Sequence, residues 1–126
     1  MAFSVTILGN ASAKPTVTRH PSAQVVNLNE QYYLVDAGEG VQQQLIRRGI
    51  NPLRLRAVFI SHLHGDHCFG LIGLISTFGL LGRTAPLHIY ADPLLQRLMQ
   101  AQLNFFCNGL KYQLHFLYGL FEQFEQ

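Results

Sequence analysis

Charge is scarce in this sequence. Acidic and basic residues make up 13% of its 126 residues and the net charge is +2, so bulk electrostatics cannot hold a nucleic acid and any such contact has to be local. Cysteine is nearly absent. Cys68 and Cys107 form neither a C-x-x-C pair nor a framework of closely spaced thiols, which excludes a disulfide-stapled scaffold and fits a reducing, cytoplasmic compartment. No apolar run approaches the roughly 18 residues of a membrane span, and Met1-Ala2-Phe3-Ser4 is not followed by a basic stretch and an apolar segment, so no membrane role is expected. Repeats, linkers and low-complexity tracts are also missing, and residues 1–126 read as a single domain. Apolar residues, in contrast, are plentiful: 48% of the chain, enough to build a core.

The apolar pattern changes period along the chain. Phe3-Ser4-Val5-Thr6-Ile7-Leu8 alternates and stops at Gly9-Asn10, which predicts a strand, and residues 10–22 read as a loop. Gln24 to Leu28 and Tyr32 to Val35 flank Asn29-Glu30, a predicted hairpin closed by Asp36-Ala37-Gly38-Glu39-Gly40. Val41 to Arg48 predicts a short helix with Val41, Leu45 and Ile46 on its inner face and Gly49 as its stop. Ala57-Val58-Phe59-Ile60 is a continuous apolar run, the pattern of a strand covered on both faces. Phe69 to Leu81, with Gly70, Gly73 and Gly79, predicts a buried helix. Leu87 to Ala91 predicts a strand, Pro93 to Phe106 a helix with Phe105 and Phe106 in the core, and Tyr112 to Phe116 a further strand. Strands alternating with helices imply an α/β fold with a mixed sheet.

At the end of the buried strand stands His62-Leu63-His64-Gly65-Asp66-His67. His62 and His64, two apart, can project to one side, while Asp66 and His67 reach a second position, so the spacing suits two adjacent ions better than one. Imidazole and carboxylate suit zinc, and manganese or iron also fit. Two ions would make hydroxide available from a shared water at neutral pH and hold a phosphoryl or acyl oxygen as it gains charge. The direct reading is a two-metal hydrolase.

With the cluster in place, several other segments are similar to the ribonuclease Z family of the metallo-β-lactamase superfamily. The similarity runs through Asp36-Ala37-Gly38-Glu39-Gly40 with Gln42 and Leu45, Ile60 to His67, Gly70-Leu71, Gly73-Leu74, Leu80-Leu81-Gly82-Arg83-Thr84 and Pro86-Leu87 with Ile89-Tyr90. It implies the N-terminal half of an αββα sandwich, and for the whole protein a zinc-dependent endoribonuclease that trims the 3′ end of precursor transfer RNA. It further implies that His62 and His64 bind one ion and Asp66 and His67 the other, with Asp66 as proton acceptor. Asp36 resembles the carboxylate that supports the site by fixing a histidine tautomer. Pro15 to His20 stands in the place of the substrate loop, keeping Pro15 and Arg19 but with Thr18 and His20 where other residues are common.

Each ion needs at least about four donors, and the cluster supplies two apiece. In the family the remainder comes from later histidines and a bridging aspartate in a second half that also carries the arm gripping transfer RNA. The expectation is therefore an apparently truncated domain, inactive by itself, with partial or no metal occupancy. His88, His115 and Asp92 read as structural, Cys68 as a buried thiol, and Arg47, Arg48, Arg54 and Arg56 as solvated. Two rivals stand beside this reading. One is a small-molecule phosphodiesterase or other hydrolase of the superfamily. The other is a non-catalytic half-fold that self-associates, since half of a sandwich leaves an apolar face uncovered and predicts a homodimer or larger assembly.

Overall fold

In a computed structural model, residues 3–9, 23–63 and 65–118 are described. The alternating N-terminal segment forms β1 (Phe3–Gly9), which pairs antiparallel with β2 (Ala23–Leu28), and β2 pairs antiparallel with β3 (Gln31–Val35). Asn29 and Glu30 between them both take positive φ, 54° and 65°, a type I′ pattern whose twist matches that of the flanking strands. The Asn27 side chain accepts a hydrogen bond from the Glu30 amide at 2.9 Å and secures the turn.

From β3 onward the connections are helical and the pairing becomes parallel, as crossover connections require. Helix α1 (Val41–Arg47) leads to β4 (Leu55–Phe59), and the short α2 (Gly65–Cys68) and α3 (Leu71–Leu80) lead to β5 (Leu87–Tyr90). Helix α4 (Pro93–Phe106) leads to β6 (Leu114–Leu117). Among the described residues, six strands lie in the order in which they occur in the chain. The expected mixed α/β architecture is thus observed.

Val25, Leu34, Val58 and Ile89 sit in register across β2 to β5 and are all buried. They join Val41, Leu45, Leu71, Leu74, Ile75, Phe78, Leu95 and Met99 in one core between sheet and helices. On the other face of the sheet Phe3, Val5 and Ile7 are exposed, and Tyr33, Phe59 and Tyr90 are half-buried. The Phe59 and Tyr90 rings stack there at 4.7 Å, beside the His88–His115 pair at 5.1 Å.

A buried arginine ties the far end of the sheet to the helices. Arg83 donates to the carbonyls of Ala85 (2.9 Å), Leu53 (3.1 Å), Leu55 (2.7 Å) and Pro86 (3.0 Å). Its guanidinium lies over the Phe78 and Tyr112 rings. Tyr112 in turn donates its hydroxyl to the Ile75 carbonyl at 2.7 Å, and burial pushes that hydroxyl above the usual tyrosine range, so it stays a donor.

Several local expectations are corrected. In α1 the buried positions are Val41, Gln44 and Leu45, while Ile46 faces solvent, because a step of one residue rotates Ile46 about 100° away from Leu45. Tyr112 precedes the last strand instead of opening it, since its ring is drawn under α3. Helix α3 is buried on one face only, leaving Leu80 and the neighbouring Phe69 and Leu81 exposed. Phe105 and Phe106 are not core residues: they are 78% and 64% exposed, because α4 turns Leu95, Met99 and Leu103 inward. The predicted loop at 10–22 lies outside the described residues.

Candidate metal centre

The site is assembled where β3 and β4 end side by side. Just past β3, Asp36 adopts φ 64°, a left-handed conformation that aspartate tolerates, and its amide donates to the Phe59 carbonyl at 2.7 Å. This bend swings the Asp36 carboxylate across the end of β4. There it accepts hydrogen bonds from the Ser61 amide (2.8 Å to Oδ1) and the Ser61 hydroxyl (2.9 Å to Oδ1, 2.8 Å to Oδ2). His67 Nδ1 lies 2.8 Å from Oδ2. Asp36 is only 5% exposed, so its carboxylate works in a poorly hydrated setting where such bonds are strengthened.

Backbone bonds lock the same corner. The Ala37 amide donates to the His67 carbonyl at 2.7 Å, and the Gly70 amide donates to the Ala37 carbonyl at 2.7 Å. Gly70 has to be glycine here, because a Cβ would stand 2.2 Å from the Gly38 oxygen and 2.9 Å from the Ala37 oxygen. Both obstacles are backbone atoms and cannot rotate away. Gly70→Ala is expected to destabilise the fold by about 2–3 kcal/mol or more and to displace His67. Thermal unfolding together with metal titration checks this, and an unchanged melting temperature would show that the contact is not rigid.

A carboxylate only accepts, so the proton between Asp36 and His67 sits on Nδ1, and a ligating role falls to Nε2. That is the arrangement in which an imidazole serves a metal with its ring orientation fixed. The His62 ring stands edge-on to that of His67, 5.2 Å away between centroids, so two imidazoles already converge. These donors fit a borderline transition metal. His64, Pro15, Arg19 and His20 lie outside the described residues, as does the side chain of Asp66, whose backbone belongs to α2. Among the described residues no group of three potential ligands is assembled.

The remaining candidates fall elsewhere. Asp92 caps α4 by accepting from the Leu94 amide at 2.8 Å. His88 and His115 stack on each other across β5 and β6. Arg54 pairs loosely with Glu30 at 3.9 Å, and Arg47, Arg48 and Arg56 are exposed. Cys68, expected to be buried, is half-buried at the end of α2. The sequence pattern gave Ser61 no role, and Gly70 only that of a small residue permitting close packing of a helix. The available signal was position alone, a hydroxyl immediately before the first histidine and a glycine immediately before a helix.

The fold sets a histidine pair and an orienting carboxylate at the end of a parallel strand in a mixed sheet with helices on one face, and sequence comparison assigns the chain to a family. The sequence model described as "Metallo-beta-lactamase superfamily" matches residues 18–103, and the chain belongs to that superfamily. Within it the chain resembles Ribonuclease Z: it is 54% identical over 114 residues to the Ribonuclease Z of Phocaeicola vulgatus, covering 90% of this chain and 37% of that protein. To the Ribonuclease Z of Porphyromonas gingivalis it is 52% identical over 112 residues, covering 89% of this chain and 37% of that protein. Among solved structures the human tRNase Z, short form, superposes with a TM-score of 0.81 at 36% identity, covering 90% of this chain and 45% of that chain. The chain thus spans less than half the length of these relatives.

Proposed function

We propose that this chain is one wall of a two-metal active site in a longer protein that hydrolyses a phosphodiester bond at the 3′ side of precursor transfer RNA. The observation that carries this reading is the Asp36–Ser61–His67 hub, which presents an oriented imidazole beside His62 at the end of β4. Similarity at 54% identity to Ribonuclease Z supports the substrate. In this reading His62 and His64 serve one ion and Asp66 and His67 the other, Asp66 also accepts a proton, and Asp36 positions His67. Pro15, Arg19 and His20 contribute the substrate loop. The ions are zinc, with manganese or iron able to substitute. When bound, they supply a nucleophilic water at neutral pH and neutralise charge on the phosphoryl oxygens. The chain's own residues orient the donors and exclude water beneath them.

The reading places the protein in the cytoplasm, and among the described residues no helix is long and apolar enough to cross a membrane. It also includes self-association as a homodimer or larger assembly, supported by the exposed apolar side chains on both the sheet and the helical side.

The test compares the 126-residue chain with a version extended by the second half of a relative, both loaded with zinc, on precursor transfer RNA. The extended protein is expected to cut at the 3′ side and the short chain to release no product. Cleavage of cyclic nucleotides alone would sink the substrate assignment. Two tightly bound ions on the short chain would show that the ligand shortage had been misjudged.

A further inference from the structure

The buried guanidinium of Arg83 forms the floor of a pocket. Its four carbonyl partners belong to Leu53, Leu55, Ala85 and Pro86, and those residues also line a cavity of about 170 Å³ at the amino ends of β4 and β5. A guanidinium has five N–H donors, and the four bonds use one at Nε, one at Nη1 and two at Nη2. One Nη1 hydrogen is left over, on a residue that is 5% exposed. Burial also draws the Arg83 pKa below the usual arginine value, a desolvation that a nearby anion would offset.

The rest of the lining is Arg54, Arg56 and His88. Three of the chain's nine lysines and arginines therefore meet at one cavity in a sequence poor in charge, and among the described residues no aspartate or glutamate lines it. Arg54 reaches Glu30 only at 3.9 Å, with both side chains more than half exposed, a pair too loose to neutralise it. Arg56 is exposed. His88 is steadied by stacking on His115, and a histidine ring carries an N–H donor in either charge state.

These donors select the chemistry of the occupant. They come from the floor, from the turn before β4, from β4 and from β5, and a phosphate offers acceptor oxygens in several directions at once to charged forks of this kind. The cavity is smaller than the roughly 300–1,000 Å³ of pockets that enclose a whole small molecule, so one such group fits it. It is also separate from the metal loop, since the five residues of β4 run between the two, on the order of 15 Å at ~3.3 Å per residue.

We infer that the cavity formed by Arg54, Arg56, Arg83 and His88 is a phosphate-binding site distinct from the candidate metal centre, taking inorganic phosphate or one phosphate of an RNA backbone. A phosphate held here is not the one that the metal loop would cleave, and the site stands independently of the hydrolase reading. It is the kind of local contact that a net charge of +2 demands of any binder of nucleic acid.

Nuclear magnetic resonance titration of the metal-free chain with inorganic phosphate at constant ionic strength tests this, because without metal the loop offers an anion no competing place. Saturable shifts are expected at the Leu55, Arg56 and His88 amides and at the Arg83 Nε–H. Arg54→Met with Arg56→Met, both exposed, is expected to keep the fold and raise the phosphate Kd at least about tenfold. Arg56→Met alone should raise it about threefold or more, which keeps the test open if the double change disturbs folding. Arg47→Gln with Arg48→Gln removes the same charge outside the cavity and should leave Kd within about twofold. A short oligouridylate separates the sources. If it produces the same shifts at lower concentration than inorganic phosphate, the ligand is an RNA phosphate; if only inorganic phosphate produces them, it is the free ion. Absence of saturable shifts with both ligands, binding that survives the Arg54 and Arg56 changes, or an equal loss in the Arg47 and Arg48 variant overturns the site.

Discussion

Asp36→Asn is expected to lower zinc affinity about 10- to 100-fold while leaving the fold nearly intact. Asparagine tolerates the left-handed backbone at position 36, and its Oδ1 can still accept from the Ser61 amide. The change falls at the other atom. An amide nitrogen in place of Oδ2 points a donor at His67 Nδ1, so the ring responds by moving its proton to Nε2, the atom that would face the metal. Competition with a chromophoric chelator measures the affinity, and the ring-nitrogen shifts of His67 report the tautomer. A merely structural carboxylate would leave the tautomer as it was. Unchanged affinity together with an unchanged tautomer would remove Asp36 from the site.

The second large effect lies at the opposite end of the sheet. Arg83→Met is expected to cost about 3–5 kcal/mol, because it removes charge-assisted bonds to four carbonyls, of which that of Leu55 is left buried and the others part-buried. For a chain of this size that corresponds to a fall in Tm on the order of 10–20 °C. Lysine should rescue little, since a compact ammonium cannot spread donors over Leu53, Leu55, Ala85 and Pro86 or stack on Phe78 and Tyr112. Thermal unfolding followed by circular dichroism is the measurement, and a loss below about 1 kcal/mol would mean that the carbonyls find other donors.

What was legible in the sequence was what local chemistry decides. The hairpin at Asn29-Glu30 and the bounds of α4 depend on a few neighbouring residues, and each appears where the pattern put it. Apolar character alone did not reveal which face of a helix packs inward. Phe105 and Phe106 were read as core because they are large and apolar, yet α4 needs only one of its two apolar stripes to close the core. Ile46 was misplaced for the same reason, with Gln44 taking the buried position. Arg83 drew no structural expectation, since arginine is ordinarily solvated and its four acceptors lie either next to it or about thirty residues away. The histidine cluster stood out by composition. Its support did not, because Asp36 meets Ser61 and His67 across 25 and 31 residues of chain, and only resemblance to a known family pointed to that carboxylate.

The sequential order of the strands bears on how the molecule is made. After β1, every strand pairs with the one synthesised just before it, so each new strand finds its template already emerged and from β4 onward reaches it across a single helical crossover. The sheet can therefore grow from β1 toward β6 at the pace of translation, roughly 5–20 residues per second. The pairing of β3 with β4 is where the sheet turns from antiparallel to parallel, and it brings the Phe59 carbonyl to the Asp36 amide. Substitutions that weaken this one pairing should slow folding of the whole chain, whereas equal losses at β6 should mainly hasten its unfolding.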